Sequence, residues 1–187
     1  MDQSLLYLCL LLLALGLALN LKLTFYLYYR IHNPPPPVAL TQVPPGERLV
    51  LPKARQWLSG CKVELEADQQ ARVLLFLSSR CDKCREKLPQ LSTLPPLAEQ
   101  AGVRLWLLST EPDKRLRRFL TDSPLIDHLL KLDKKAYQSL NPSWSSPFYL
   151  FIDHAGYLQA AGTIGDEDWQ SFMQQMDEVS REMEVAS

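Results

Sequence analysis

The stretch Ala71–Pro89, ARVLLFLSSRCDKCREKLP, decides how the rest of the chain is read. An apolar run, Ala71–Ser79, stops at two cysteines spaced two residues apart, and a charged segment follows. A continuous apolar run of this length reads as a central strand buried on both faces. A helix is predicted over Cys81–Leu88, with Pro89 kinking or ending its first section. The pair Cys81 and Cys84 therefore falls where a strand ends and a helix begins. Unpaired backbone N–H groups and the helix dipole favour a thiolate at that place. Arg80, Lys83 and Arg85 add positive charge, and Asp82 opposes it. Cys84, one helical turn on, is expected to be more buried and to attack a mixed disulfide formed by Cys81.

Downstream, Val103–Thr110 (VRLWLLST) reads as a second buried strand, and Glu111–Asp122 as a helix with Pro112 near its start. Leu116, Phe119 and Leu120 supply the inward face of that helix, so its charged run reads as a solvated face or as a partner site. Asp133–Leu140 reads as a short helical turn. Pro147–Asp153 and Tyr157–Ile164 are strand-like, joined by the turn residues DHAG. In the tail, Trp169, Phe172, Met173, Met176, Val179 and Met183 recur at helical spacing and form one apolar stripe. Acids at the start of that helix suit its dipole.

Upstream, Leu5–Tyr29 is apolar apart from Lys22. As a helix it would span roughly 37 Å, enough to cross a bilayer. Tyr26, Tyr28, Tyr29 and Arg30 resemble an interfacial belt, and Cys9 is expected to face lipid. A cleaved signal peptide is the alternative; the length of the run and the lack of a basic segment before it count against that reading. Six of the fourteen prolines follow between Pro34 and Pro45, a composition that favours an extended spacer. A short strand near Arg48–Leu51 is expected to dock on the domain beyond. The chain thus divides into an anchor (1–32), a proline-rich linker and docking segment (33–59) and a globular domain (60–187).

The chain has 187 residues, a net charge of -1, seven glycines and four cysteines. Near neutrality, without a basic arm, it has no signature of nucleic-acid binding. No glycine spacing suits a phosphate loop. Four cysteines are too few for a disulfide-built scaffold, so apolar packing must make the core. Glu64, Glu66 and Asp68 read as surface acids, and no two carboxylates are spaced for acid–base work.

Strand, helix, strand, helix, hairpin, helix describes an α/β layer with a mixed sheet, and it is the element order of the thioredoxin-like fold. That fold places a cis proline opposite the cysteine pair, which implies this role for Pro147. The residue before it, Ser146, would offer backbone groups to a bound peptide. The segment LLFLSSRCDKCREKLP, the hairpin SPFYLFIDHAGYLQAAG and the final GTIGDEDWQSF resemble membrane-anchored bacterial thioredoxin-like proteins of the TlpA and ResA group, and among these the MauD type of methylamine-utilisation accessory protein.

The resemblance implies a thiol–disulfide oxidoreductase. In it Cys81 attacks, Cys84 resolves, and Ser146 and Pro147 shape the peptide groove. It implies no cofactor beyond the redox-active pair itself. The implied partners are a cysteine-containing exported client, a membrane redox protein that recharges the pair, and the lipid bilayer through residues 5–29. The implied location is the bacterial inner membrane with the domain in the periplasm. Lys22 and Arg30 at the far end of the span point weakly the other way by the positive-inside rule; an oxidising compartment suits a working pair. Two positions depart from the pattern. Leu75 stands six residues before Cys81, where many relatives carry a buried acid, and Arg80 stands where the TlpA group often has Trp.

Other roles for the pair remain open at this stage. A metal site would need more ligands, to which His128 and His154 could contribute, and a static disulfide or a non-catalytic chaperone is a further alternative. Cys61 reads either as an electron relay to Cys81 or as a buried spectator.

Overall fold

The computed structural model describes residues 3–32, 41, 43–65 and 70–186. The residues fall into two units, 1–38 and 39–187. In the first, α1 (Gln3–His32) is an apolar helix whose described side chains are exposed. It is the only helix among the described residues long and apolar enough to cross a membrane, and a signal sequence meets the same description. Most of the proline-rich stretch, Glu66 and Asp68 lie outside the described residues.

The second unit is a seven-stranded mixed sheet with helices on both faces. In chain order it contains β1 (Lys53–Gln56), β2 (Lys62–Glu64), β3 (Ala71–Phe76), α2 (Asp82–Leu91), α3 (Leu94–Gln100), β4 (Val103–Ser109), α4 (Asp113–Phe119), β5 (Leu129–Lys131), α5 (Lys134–Leu140), β6 (Phe148–Ile152), β7 (Leu158–Thr163) and α6 (Glu167–Ala186). The strands run β2-β1-β5-β4-β3-β6-β7 across the sheet. β3, β4 and β5 are parallel, and β6 returns antiparallel against β3.

The alternation of β3 builds both halves of the core. Val73 and Leu75 point to the face covered by Leu91, Leu94, Leu116, Trp169, Phe172 and Met176. Leu74 and Phe76 point to the other face, where Tyr137, Leu140, Leu49 and Leu51 pack. A strand buried on both sides favours apolar side chains, and from Val73 to Phe76 β3 carries nothing else; the one charged residue, Arg72, lies buried near its start. The stripe of α6 behaves as its spacing predicts: Trp169, Phe172 and Met176 are buried, Met173 and Val179 half-buried. Met183's side chain lies outside the described residues.

Several elements differ from the sequence reading. β3 ends at Phe76, because Leu77–Arg80 form the loop that turns into α2. α2 continues through Pro89 to Leu91, and α4 is shorter than expected, with Pro112 at its N-cap. Arg48 makes only an isolated bridge with Tyr157, and the true strand is β1. β1 and β2 form a hairpin that extends the sheet beyond β5. Neither α3, which carries Pro95 and Pro96 in its first turn, nor three-residue β5 shows a periodic pattern long enough to read.

The C-terminal helix is tied to the sheet by one carboxylate. Asp166 Oδ1 accepts from the Trp169 N–H at 3.0 Å, capping α6, and from the Tyr149 hydroxyl at 2.8 Å. Gly162 on β7 makes room for it: a Cβ there would stand 2.0 Å from Asp166 Oδ2. Gly162→Ala is therefore expected to displace the cap and lower unfolding free energy by about 1–3 kcal/mol. Urea titration checks this; an unchanged midpoint would show that the carboxylate has somewhere else to go.

Candidate functional site

The site forms where β3 ends and β6 begins. Phe76 lies opposite Phe148 in the antiparallel register, so the loop after β3 and the loop before β6 emerge side by side. Cys81 occupies the N-cap position of α2 with extended backbone (φ -94°, ψ 118°). It is half-buried, and its Sγ lies 3.4 Å from the Ser146 carbonyl oxygen, with donor geometry towards it. The Ser146–Pro147 peptide bond is cis. The structure thus brings together Cys81, Cys84, Ser146 and Pro147, the residues singled out from sequence.

Cys84 is fully buried, within the same apolar cluster as Leu75 and Leu91. Burial pushes its thiol up to about 12; the neighbouring Cys81 adds to the rise, and the Ser78 N–H, 3.5 Å from Sγ, offsets part of it. Leu75, at the position where an acid was noted as missing, is wholly buried and makes part of this apolar floor. Both thiols are free in this structure.

Two polar side chains hold the facing loops, and sequence reading assigned neither. Glu111, just after β4, reaches across to the loop between β3 and α2. Its carboxylate accepts from the Ser78 hydroxyl at 2.9 Å, the Ser79 N–H at 3.0 Å and the Ser79 hydroxyl. Asn141, fully buried, holds the other loop: its amide donates to the Ser145 carbonyl at 2.8 Å and accepts from the Ser145 N–H at 2.9 Å. The signal for Glu111 was present in part. Two adjacent serines in a tight loop need partners, and neighbouring parallel strands end beside one another. Arg85 adds a third tie, donating to the Ser79 carbonyl at 2.5 Å and pairing with Asp82 at 2.7 Å. Asp82, read as opposing the positive charge of the loop, is thus already neutralised.

Beyond the Ser145–Ser146 loop, Tyr137 stacks on Trp144 with ring centroids 4.8 Å apart. Trp144 is 44% exposed and sits in the left-handed region at φ 52°, next to the proline loop. Burial raises the Tyr137 hydroxyl to about 12, with the charge of Glu111 contributing, so it stays protonated.

The remaining candidates lie elsewhere. His154 is in the β6–β7 turn, at the opposite end of β6 from Pro147. His128 lies before β5, its ring nitrogen 3.1 Å from the Leu105 carbonyl oxygen. Among the described residues no group of three His, Cys, Asp or Glu could hold a metal ion. Cys61, expected to be buried, is exposed in the β1–β2 hairpin. With β1, β5 and β4 between β2 and β3, four strand spacings of about 4.8 Å set it on the order of 19 Å from the end of β3. That separation rules out a direct disulfide with Cys81 in this conformation.

Solved structures share this fold. The thioredoxin domain of a thiol-disulfide oxidoreductase from Bacteroides vulgatus superposes with a TM-score of 0.59 at 17% identity, over 71% of this chain and 98% of that one. A thiol:disulfide interchange protein from Bacteroides sp. gives 0.56 at 18%, over 70% and 90%. A secreted Mycobacterium tuberculosis disulfide oxidoreductase, described as homologous to E. coli DsbE, gives 0.52 at 19%, over 67% and 94%. No protein-family model and no curated protein matches the chain. The fold is therefore thioredoxin-like α/β, and its structural neighbours are thiol–disulfide oxidoreductases.

Two outcomes are expected at this site. Iodoacetamide should label Cys61 and Cys81 before Cys84 at neutral pH, because only a thiolate reacts. Cys84 labelling should climb about tenfold per pH unit up to a midpoint near 12, since the raised value keeps the proton on at lower pH. Peptide mass mapping distinguishes this from equal labelling. Separately, Glu111→Ala should cost about 1–3 kcal/mol in urea unfolding by leaving loop donors unmatched, and Glu111→Gln should cost less because one acceptor oxygen remains.

Proposed function

We propose that this chain is a membrane-tethered thiol–disulfide oxidoreductase acting on cysteines of exported proteins. The observation that carries the reading is the half-exposed Cys81 sulfur set 3.4 Å from the Ser146 carbonyl, with Cys84 buried behind it. An accessible attacking sulfur, a sheltered resolving sulfur and a proline-led backbone edge are the parts thiol–disulfide exchange needs.

In the reductive direction, Cys81 as thiolate attacks one sulfur of a client disulfide. A mixed disulfide forms, and the other client sulfur leaves as thiolate and takes up a proton. Cys84 then loses its proton and attacks Cys81, closing the Cys81–Cys84 disulfide and releasing the client as a dithiol. Two electrons pass to the client. Oxidation runs through the same mixed disulfide in reverse. Ser146, with its backbone beside the cis proline, positions the client's extended segment, and Trp144 offers an apolar ledge next to it. Chemistry resides in the pair itself, without a cofactor or metal, and a membrane redox partner restores it. Nucleic acid has no part in this reading.

The apolar helix α1 supports tethering through residues 5–29, with the thioredoxin-like domain on the periplasmic side of a bacterial inner membrane. Within the wider group we assign the chain to the MauD type, on the segments around Cys81, the Pro147 hairpin and the Gly162–Phe172 tail.

The test is a trap. Cys84→Ala protein, incubated with a disulfide-bonded peptide, should accumulate an adduct on Cys81 that dithiothreitol releases and that the Cys81→Ala, Cys84→Ala double variant lacks. Absence of any thiol-dependent adduct by mass spectrometry would favour a binding module with dormant cysteines.

A further inference from the structure

The face of α4 that turns towards the cysteine loop is strongly cationic. A groove of about 490 Å³ is lined by Arg80, Arg85, Lys114, Arg115 and Arg118, with Ser79 and Phe119. A second cavity of about 220 Å³ reaches Tyr137, Trp144 and Ser146, and Arg80 and Arg115 line both. The two adjoin at the residue that precedes Cys81.

The nearby acids are already engaged. Asp82 pairs with Arg85 at 2.7 Å, Asp113 with Lys131 at 3.2 Å, and the Glu111 carboxylate is taken by Ser78 and Ser79. Arg117 lies over the Trp57 ring, 4.8 Å from its centroid, and so belongs to the packing rather than to the groove. Arg80, Lys114, Arg115 and Arg118 are exposed and make no ion pair among the described residues. Lys114 with Arg118, and Arg115 with Arg118, stand at four- and three-residue spacing, where like charges destabilise a helix. An anionic occupant relieves that repulsion. The chain as a whole carries a net charge of -1, so this cluster is a local feature.

Resting on the reading above and deepening it, we propose that the groove selects the client: it holds an acidic segment flanking the cysteine whose sulfur meets Cys81. A peptide laid along the Ser146 edge is led past Arg80 and Arg115 to Arg118, so its carboxylates meet guanidinium groups while its sulfur stays at the pair. Clustered positive charge at the entrance also speeds encounter with an acidic chain.

The experiment separates binding from chemistry. Full-length protein in a non-ionic detergent is titrated with blocked, fluorescently labelled peptides in which serine replaces the cysteine and the flank is glutamate, glutamine or lysine. The glutamate peptide should bind about tenfold or more tighter than the glutamine peptide at low salt, and the difference should vanish near 0.5 M salt. Arg115→Glu with Arg118→Glu should abolish the preference for the glutamate peptide or turn it towards the lysine peptide. Equal affinities for the three peptides, or a preference that survives charge reversal, overturns the proposal. Disulfide-linked dimers of the same peptides with cysteine restored then report the mixed-disulfide rate on the Cys84→Ala protein. Selective binding without any adduct would sink the exchange reading alone, and adducts formed equally fast with all three would sink the groove alone.

Discussion

The antiparallel pairing of β3 with β6 is the constraint on which the site depends. Phe76 opposite Phe148 sends the cysteine loop and the proline loop out of the sheet at one end, next to each other. The register is held by burial: Leu75 and Phe76 point to opposite core faces, and a slip of one residue would turn each towards the wrong one. The 3.4 Å approach of Cys81 to the Ser146 carbonyl follows from strand pairing more than from any contact between the loops themselves.

Loops that leave a sheet carry backbone groups that strand partners no longer satisfy. Here the cost is met by single polar side chains placed at the ends of neighbouring elements. Glu111 serves the loop after β3, and Asn141 serves the loop before β6. Both are hydrogen-bonded at every contact described, so they hold the loops without leaving an unmatched group. Beneath them the environment is apolar. Cys84 shares its cluster with Leu75, and a thiol in such a place retains its proton. The two sulfurs therefore differ through position alone: one at a helix mouth near solvent, the other under the sheet's cover.

The same end of the domain gathers a cluster of cations. α4 buries Leu116 against the sheet and leaves Lys114, Arg115 and Arg118 outside, beside Arg80 and Arg85. Near-neutral composition hides this, because acids elsewhere balance the total. In the role proposed for the groove, this cationic approach adds a selection that the pair alone does not provide.

Much of this was legible in the chain itself. The apolar Val73–Leu77, the cysteine spacing, Pro147 ahead of an alternating hairpin and the stripe of α6 are local patterns, and local patterns carry burial and period directly. They determined the α/β class, the β3–α2–β4 core, the β6–β7 hairpin, α6 and the cysteine pair, while Ser146 and Pro147 were reached through the resemblance to the thioredoxin-like fold. Tertiary structure alone decided what meets across the sheet: that Glu111 ties the Ser78–Ser79 loop, that Asn141 staples the proline loop, that Lys53–Gln56 extends the sheet, and that Cys61 lies strands away from Cys81. Each is a contact between residues far apart in the chain or a placement set by strand order. Three-residue strands and single polar side chains have no period of their own, so only the packed sheet could say where they go.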